Sequence, residues 1–129
     1  MATLHGHPPA ARLREAADFA ALRRSGKRLS SRFFHTQFRL TDRSDARLGM
    51  AVSRRVSKLA VVRNRIRRIV RESFRASRAD LPACDVLLIA RSAAAEQDGR
   101  GLRRDVDLIW RQLAALKPHD ATRTIPPPS

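Results

Sequence analysis

The sequence predicts a two-layer α/β (α+β) sandwich in which three helices pack against one mixed four-stranded sheet. Two patterns indicate this fold class: segments whose apolar residues follow the helical period alternate with segments in which every second residue is apolar. The predicted order of elements is α-β-β-β-α-β-α. A length of 129 residues and a hydrophobic content of 43% suffice for one modest core. We therefore expect a single domain at residues 12–117, with flexible tails at 1–11 and 118–129.

The N-terminal part of this domain is predicted to hold one helix followed by three strands. The helix, Arg14–Ser25, has small and apolar residues on one side, and Gly26 is suited to end it. The extended segment Lys27–Leu40 comes next, and Arg47–Ser53 is predicted as a further strand because its apolar residues alternate. Alternation divides the extended segment into two faces, of which one should pack inward and the other remain accessible. One face consists of Phe34, Thr36, Phe38 and Leu40, and the other of Phe33, His35, Gln37 and Arg39.

The C-terminal part is predicted to hold a helix, a strand and a last helix. Leu59–Ala79 forms the long central helix, with Ser57 as its N-cap. Asp85–Ala90 is nearly all apolar, as expected for a strand covered on both faces, and Gly99–Lys117 closes the fold. If the strands on either side of the central helix are parallel, the general rule makes their crossover right-handed. The central helix should bury one apolar stripe, made of Val62, Ile66, Ile69, Val70, Ser73, Phe74 and Ser77.

The charge of the chain narrows the class of its partner. With 27 Lys and Arg residues against 12 Asp and Glu, the formal net charge is +15. Such an excess predicts a nucleic-acid partner more readily than a membrane or an acidic protein, and a secreted cationic protein is the alternative. The first residues lack a signal-peptide pattern, and no stretch reaches the roughly 18 apolar residues of a membrane span. The single cysteine, Cys84, excludes an internal disulfide, so we expect a cytoplasmic protein.

The positive charge is concentrated in and before the central helix. From Arg54 to Arg78 the chain has ten Lys and Arg residues and one carboxylate, Glu72. Charges of one sign cannot form the usual i,i+4 pairs, so a face that binds polyphosphate is favoured over a merely solvated face. The side opposite the apolar stripe holds Asn64, Arg68, Arg71, Arg75 and Arg78, with Arg67 beside this row and Arg63 and Arg65 flanking the stripe.

A second basic cluster, Arg54, Arg55 and Lys58, lies where the strand ends and the central helix begins. Backbone N–H groups at a helix N-terminus would add to the attraction of these side chains for phosphate. Ordinary loop charge is the alternative interpretation.

The few aromatic residues divide into two groups. Four of them fit apolar stripes and are predicted to lie in the core: Phe34, Phe38, Phe74 and Trp110. A sheet face with Phe33, His35 and Gln37 beside Phe19 could form a cleft for single-stranded nucleic acid, through stacking and hydrogen bonds. The residues alone leave this second interpretation open.

The chain offers little for catalysis by the protein itself. The acids are scattered, and Asp105 and Asp107 would point about 200° apart on a helix. The four histidines lack the spacing of a zinc site. His35 is favoured as a polar sheet residue over a lone general base, and Cys84 as an inert buried thiol. We therefore predict no catalytic residue and no metal site on the protein.

One segment closely resembles a family signature. Arg63–Arg68 (RNRIRR), followed by Arg71–Arg75, is similar to the signature of the bacterial ribonuclease P protein subunit. Arg47–Arg55 resembles the family's strand before the signature, and Leu81–Arg91 resembles the strand after it. Phe19 stands where the family has an early helical phenylalanine. The resemblance covers roughly residues 12–116.

The resemblance implies an enzyme whose chemistry belongs to RNA. In this family the protein assists a catalytic RNA that hydrolyses a phosphodiester bond and so removes the 5′ leader of precursor tRNA, with Mg²⁺ held mainly by the RNA. We therefore expect one protein monomer to act with one catalytic RNA and with precursor tRNA, and without an organic cofactor. The resemblance also implies a fold like the second domain of ribosomal protein S5, with a left-handed crossover around the signature helix in place of the right-handed one.

Carried onto this chain residue by residue, the resemblance implies two RNA-binding regions. One would face the catalytic RNA, and consists of Arg54, Arg55, Lys58, Arg63, Asn64, Arg65, Arg67, Arg68, Arg71 and Arg75. The other is a cleft between the first helix and the sheet that would hold the single-stranded leader, and consists of Phe19, His35 and Gln37, with Phe33 as a further candidate. Arg23 and Gln37 replace aromatic residues that some members carry, and Arg23 could contact a leader phosphate instead.

Two other functions compete with this interpretation. A structural RNA-binding module, such as a ribosomal or assembly protein, would share the basic helix but would not stimulate leader removal. A stand-alone nuclease would cleave RNA without a partner and would depend on an acid, which the scattered carboxylates disfavour.

Overall fold

The computed structural model describes residues 20, 22, 24, 26–42 and 45–116. Its sheet has four strands, β1 (Lys27–Ser30), β2 (Phe34–Leu40), β3 (Arg47–Ala51) and β4 (Cys84–Ala90), in the order β1-β2-β4-β3. β1 and β4 both pair with β2 in antiparallel fashion, whereas β3 and β4 are parallel. The predicted mixed four-stranded sheet, with parallel strands on either side of the central helix, is therefore confirmed.

Two long helices cover one face of this sheet, α1 (Ala60–Ser77) and α2 (Gly99–Ala114). Short 3₁₀ turns follow α1 at Arg78–Asp80 and β4 at Ser92–Ala95. The predicted end of the last helix, Lys117, lies outside the described residues, and α2 ends before it.

The predicted N-cap of α1 is wrong. Leu59 occupies the cap position with extended backbone and no capping side chain. The hydroxyl of Ser57 instead accepts a hydrogen bond from the backbone N–H of Leu59, at 3.1 Å, within the turn before the helix. Ser57 therefore stabilises the turn before α1 and does not cap the helix. Short hydroxyl side chains commonly form such local hydrogen bonds to the backbone.

The first of the three predicted helices falls largely outside the described residues, as do both predicted tails. Ala20, Leu22 and Arg24 have helical backbone. Gly26 donates its N–H to the carbonyl of Leu22 at 3.0 Å, which closes the last turn. A Cβ at Gly26 would lie 2.4 Å from that carbonyl oxygen, so this close approach requires glycine.

The main core lies between the sheet and the two helices. All four aromatic residues predicted to be core are buried there, and Phe74 meets Trp110 edge to face at a centroid distance of 5.3 Å. The apolar stripe of α1 is confirmed, because Ile66, Val70, Ser73 and Phe74 are buried. The helical period in the sequence therefore predicted correctly which side of α1 faces the sheet.

A hydrogen-bonded cluster joins α1 to α2 within this layer. Trp110 donates its indole N–H to the hydroxyl of Ser73 at 2.8 Å, and that hydroxyl donates to Asp107. Arg103 also donates to Asp107, at 3.0 Å. Each buried polar atom of the cluster thus has a partner, as the low-polarity surroundings require.

The opposite face of the sheet carries a buried ion cluster. Asp85 on β4 lies directly across from Arg39 on β2 and Arg47 on β3. Each arginine donates two hydrogen bonds to the carboxylate, at 2.9 to 3.1 Å. Burial alone would raise the pKa of Asp85, but the hydrogen bonds and charges of Arg47 and Arg39 outweigh it and hold the pKa below its ordinary value. The cluster links three strands at one register position.

Candidate nucleic-acid interface

The exposed side of α1 is the most basic part of the site. Three arginines, Arg68, Arg71 and Arg75, are exposed there together with Asn64. By helix geometry these arginines lie within about 60° of one another, on the side directly opposite the buried stripe. We call Arg68, Arg71 and Arg75 the α1 arginine row. The row presents positive charge to solvent while the other side of the same helix anchors it to the core.

Three further arginines of α1 are half-buried and have structural partners. Arg63 donates to the carbonyls of Ser57 and Lys58, at 2.9 and 3.0 Å. Arg65 donates to the carbonyl of Gln97 at 3.2 Å, in the segment before α2.

Arg67 completes this set of half-buried arginines. It donates to the side-chain oxygen of Asn64 at 3.0 Å and to the carbonyl of Val52 at 3.4 Å. Among the described residues, none of the acceptors of Arg63, Arg65 and Arg67 is a carboxylate, so their positive charge is kept while they hold the surrounding segments. The sequence does not reveal this second role, because carbonyl partners leave no mark in the pattern of side chains.

Arg78 does not continue the α1 arginine row, so that part of the predicted row is wrong. It follows the end of α1, in a 3₁₀ turn, and it is half-buried. Its guanidinium donates to the carbonyl of Ala46 at 3.1 Å and pairs with Asp45 at 3.4 Å.

The segment before α1 adds charge and apolar surface. Arg54, Arg55 and Lys58 are all exposed, around the turn at Ser53–Val56. Leu59 and Val61 are also exposed, by 62% and 72%, an unusual degree for side chains of this size. The sequence contained this signal, since both residues stand outside the apolar stripe of α1.

An open cavity of about 750 Å³ lies beside this end of α1. It is lined by Val61, Val62, Asn64, Arg65, Arg68 and Arg71. Apolar and cationic side chains therefore meet in one concave surface.

The second face of the sheet holds two of the predicted cleft residues. His35 is exposed and Gln37 is half-buried, and they alternate with the core residues of β2 as predicted. Leu22 packs against Leu87 and Ile89 on this face, so the segment before β1 borders it. The side-chain oxygen of Gln37 is buried and has no hydrogen-bond partner among the described residues. Phe19 lies outside the described residues.

Phe33 is not part of this face, so its predicted placement in the cleft is wrong. β2 begins at Phe34, and alternation therefore does not extend back to Phe33. The ring is buried in the main core, and the Phe33 N–H donates to Asp105 on α2 at 3.0 Å. The guanidinium of Arg32 lies over the ring, 5.5 Å from its centroid.

Three acids of the described residues are engaged in structure. Asp85 is held by two arginines, Asp107 accepts from Ser73 and Arg103, and Asp105 accepts from Ser31 at 2.7 Å. Within the described ranges there is no group of three or more His, Cys, Asp or Glu side chains that could hold a metal ion.

The remaining titratable group of note is Cys84. Burial, and secondarily the negative charge of Asp85, raises the pKa of its thiol to about 12.

No helix in the described part of the chain is both long and apolar enough to cross a membrane.

Comparison with known proteins identifies the family. The family model for ribonuclease P matches residues 8–114. The chain belongs to the ribonuclease P protein family. The ribonuclease P protein component of Coxiella burnetii is 33% identical over 102 residues, covering 79% of this chain and 84% of the relative. That of Thioalkalivibrio sulfidiphilus is 33% identical over 114 residues, covering 88% of this chain and 95% of the relative.

Solved structures of ribonuclease P proteins share the fold. The Staphylococcus aureus protein matches with a TM-score of 0.73 at 27% sequence identity, covering 79% of this chain and 94% of that one. The Thermotoga maritima protein matches with a TM-score of 0.69 at 30% identity, covering 82% of this chain and 97% of that one. The mixed sheet with α1 and α2 is thus the architecture of ribonuclease P proteins, and the predicted family is confirmed.

Proposed function

We propose that this chain is the protein subunit of a cytoplasmic ribonuclease P, which binds the catalytic RNA and the 5′ leader of precursor tRNA and assists Mg²⁺-dependent removal of the leader. Membership of the ribonuclease P family supports a role in tRNA 5′ processing. The observation that carries the RNA-binding part is the α1 arginine row, exposed on a helix whose other side is buried in the core.

The α1 arginine row is suited to phosphate because its geometry is already set. Each guanidinium offers a planar set of donors that matches phosphate oxygens. Core packing fixes the helix, so binding does not have to order the backbone first. Arg63, Arg65 and Arg67, tethered to carbonyls, add positive charge from fixed positions. In this proposal the row and the basic turn before α1 neutralise phosphates of the catalytic RNA.

The second face of the sheet is proposed to hold the single-stranded leader. The side-chain oxygen of Gln37 is buried and has no hydrogen-bond partner among the described residues, and once a nucleobase reaches it, it can accept a hydrogen bond from an amino or imino group. Leu22, Leu87 and Ile89 supply the apolar floor beside it. His35, whose Nδ1 lies 3.2 Å from the Ser30 hydroxyl, is exposed at the same face.

Hydrolysis itself is assigned to the RNA subunit. Asp85, Asp105 and Asp107 accept hydrogen bonds from arginine, hydroxyl or amide donors, so these three carboxylates are poorly placed to activate water or to coordinate Mg²⁺. Mg²⁺ would sit on phosphate oxygens of the RNA, and the protein would lower the repulsion between catalytic RNA and substrate.

The test is cleavage of precursor tRNA at low Mg²⁺, with the catalytic RNA alone, the protein alone, and both together. We expect the protein to restore cleavage by the RNA and to cleave nothing alone. Failure to restore cleavage rejects the proposal, and cleavage by the protein alone would indicate a stand-alone nuclease. Recovery of ribosomal RNA with the protein, without ribonuclease P RNA, would instead favour a structural RNA-binding protein.

A further inference from the structure

A second row of arginines lies on α2, outside the regions proposed above. Arg100, Arg104 and Arg111 are exposed. On a regular helix they lie within about 40° of one another, opposite the side that buries Leu102 and Val106. We call these three residues the α2 arginine row. The α1 arginine row has the same relation to the core, because each row lies on the side of its helix opposite the buried residues.

The acids of α2 do not neutralise this row. Asp105 is turned into the core, where it accepts from Ser31 and from the N–H of Phe33. Asp107 accepts from Ser73 and Arg103. Across the described part of the chain, no hydrogen-bond or ion-pair partner is found for the guanidinium groups of Arg100, Arg104 and Arg111. Three like charges along about 16 Å of helix repel one another, so folding alone does not favour them.

The two rows share one outer surface. The start of α1 contacts the start of α2, and the end of α1 contacts the end of α2. Arg65 donates to the carbonyl of Gln97 just before α2, and Phe74 contacts Trp110. α1 and α2 therefore run roughly parallel, side by side, on the same face of the sheet. Packed helices have axes about 8–10 Å apart, so both rows can be reached by one folded RNA.

A cavity at the N-terminal end of the α2 arginine row extends this surface. Its volume is about 580 Å³, and its lining includes Arg32, Arg91 and Arg104 together with Gln97. The one acid in the lining, Asp105, is already hydrogen-bonded to Ser31 and Phe33. A concave surface with three arginines and an engaged acid carries positive charge, which attracts a phosphate backbone.

We propose that the α2 arginine row, with the cavity at its end, is a second phosphate-binding surface that contacts a segment of the catalytic RNA beside the segment on α1. This inference rests on the proposed function and extends it. The catalytic RNA is the occupant because the row continues the α1 surface on the same side of the molecule, whereas the leader-binding face lies on the other side of the sheet.

The experiment measures binding of the full-length protein to the catalytic RNA alone, without precursor tRNA, over a series of salt concentrations. The test variant replaces Arg100, Arg104 and Arg111 with Gln, and a matched variant replaces the same residues with Lys. We expect the Gln variant to reduce the slope of log K against log salt by about 2–3, at roughly 0.7–0.9 per lost phosphate contact. If the affinities of the Gln variant and the wild-type protein become equal near 1 M salt, this change of slope corresponds to about a hundredfold weaker binding at 0.15 M salt. The Lys variant should keep most of the slope.

A single-residue pair controls for net charge and for folding. Arg104→Gln should weaken binding, whereas Arg28→Gln, at an exposed position on edge strand β1, should leave it near the wild-type value. Equal effects of the two substitutions, or an unchanged slope in the triple Gln variant, would overturn the inference.

Two further outcomes separate this inference from the proposed function. If the triple Gln variant binds the RNA normally but raises KM for precursor tRNA, the row contacts substrate and the inference is wrong. If wild-type protein stimulates cleavage and Arg68→Gln weakens RNA binding while the α2 variants do not, the proposed function stands and only the second surface falls. Failure of the wild-type protein to stimulate cleavage would reject the proposed function itself.

Discussion

Asp85 provides a direct test of what holds the sheet together, and Asp85→Ala is the informative change. The carboxylate is fully buried and accepts four hydrogen bonds from Arg39 and Arg47. Its removal leaves two guanidinium groups without their shared anion. The side chain of Arg47 is only 11% exposed, so water cannot replace the lost partner fully.

The size of the effect follows from this burial. Removing one partner of a buried ion pair typically costs about 3–5 kcal/mol. Arg39 is 28% exposed and can regain water, which favours the low end of that range. We therefore expect a loss of about 3 kcal/mol, or roughly 12 °C in Tm for a domain of this size. Arg39→Gln should cost only about 1 kcal/mol, because Asp85 keeps Arg47.

The stability of both variants is measured by thermal and urea denaturation. Circular dichroism and the fluorescence of the single tryptophan, Trp110, monitor the unfolding. The pH dependence gives a second readout. Because Arg47 and Arg39 hold the pKa of Asp85 below its unfolded value, its contribution is fully present above about pH 5 and is lost as pH falls through the folded-state pKa. The stability difference between wild type and Asp85→Ala should therefore shrink in acid.

Two results would refute this reasoning. A loss below about 1 kcal/mol at pH 7 would mean that the cluster contributes little beyond its desolvation cost. A stability difference that stays constant down to pH 2 would mean that the carboxylate does not titrate as its arginine partners require.

Three further predictions concern the site, the helix contact and the thiol. Arg68→Glu should weaken binding to the catalytic RNA strongly yet change the free energy of unfolding by less than about 0.5 kcal/mol, because Arg68 is exposed. RNA-binding assays and thermal melting check this. A large loss of Tm would mean that α1 is wrongly oriented. Ser73→Ala should lower the free energy of unfolding by about 1–3 kcal/mol and shift the fluorescence emission of Trp110, because the indole N–H and Asp107 each lose a hydrogen-bond partner. An unchanged melting temperature and an unchanged emission spectrum would contradict this. Cys84 should resist alkylation at pH 8 in the folded protein and react once urea unfolds it, as mass spectrometry can follow; rapid alkylation of the native protein would contradict its burial and raised pKa.

The features that the sequence determined are those encoded in its local period. The apolar stripe of α1 and the exposed side that holds Arg68 follow from the 3.6-residue repeat. The alternation of β2, with Phe34 buried and His35 exposed, follows from the two-residue repeat. Both periods act between near neighbours, so they can be recognised without knowledge of the fold.

The features that only the tertiary structure decided are pairings between residues far apart in the chain. Asp85 meets Arg39 and Arg47 because three strands align at one register position, and nothing local marks that register. The alternation of β2, continued back by one residue, predicts Phe33 in the cleft, whereas a hydrogen bond from its N–H to Asp105 fixes its position in the core.

The same division holds for the basic surface. The charge of α1 is visible in the sequence, but which arginines face solvent and which bind carbonyls depends on the segments that pack beside the helix, as Arg65 and Gln97 illustrate. A helix period specifies a direction relative to the helix axis. Only packing decides what lies in that direction, because it brings distant segments within reach of a hydrogen bond.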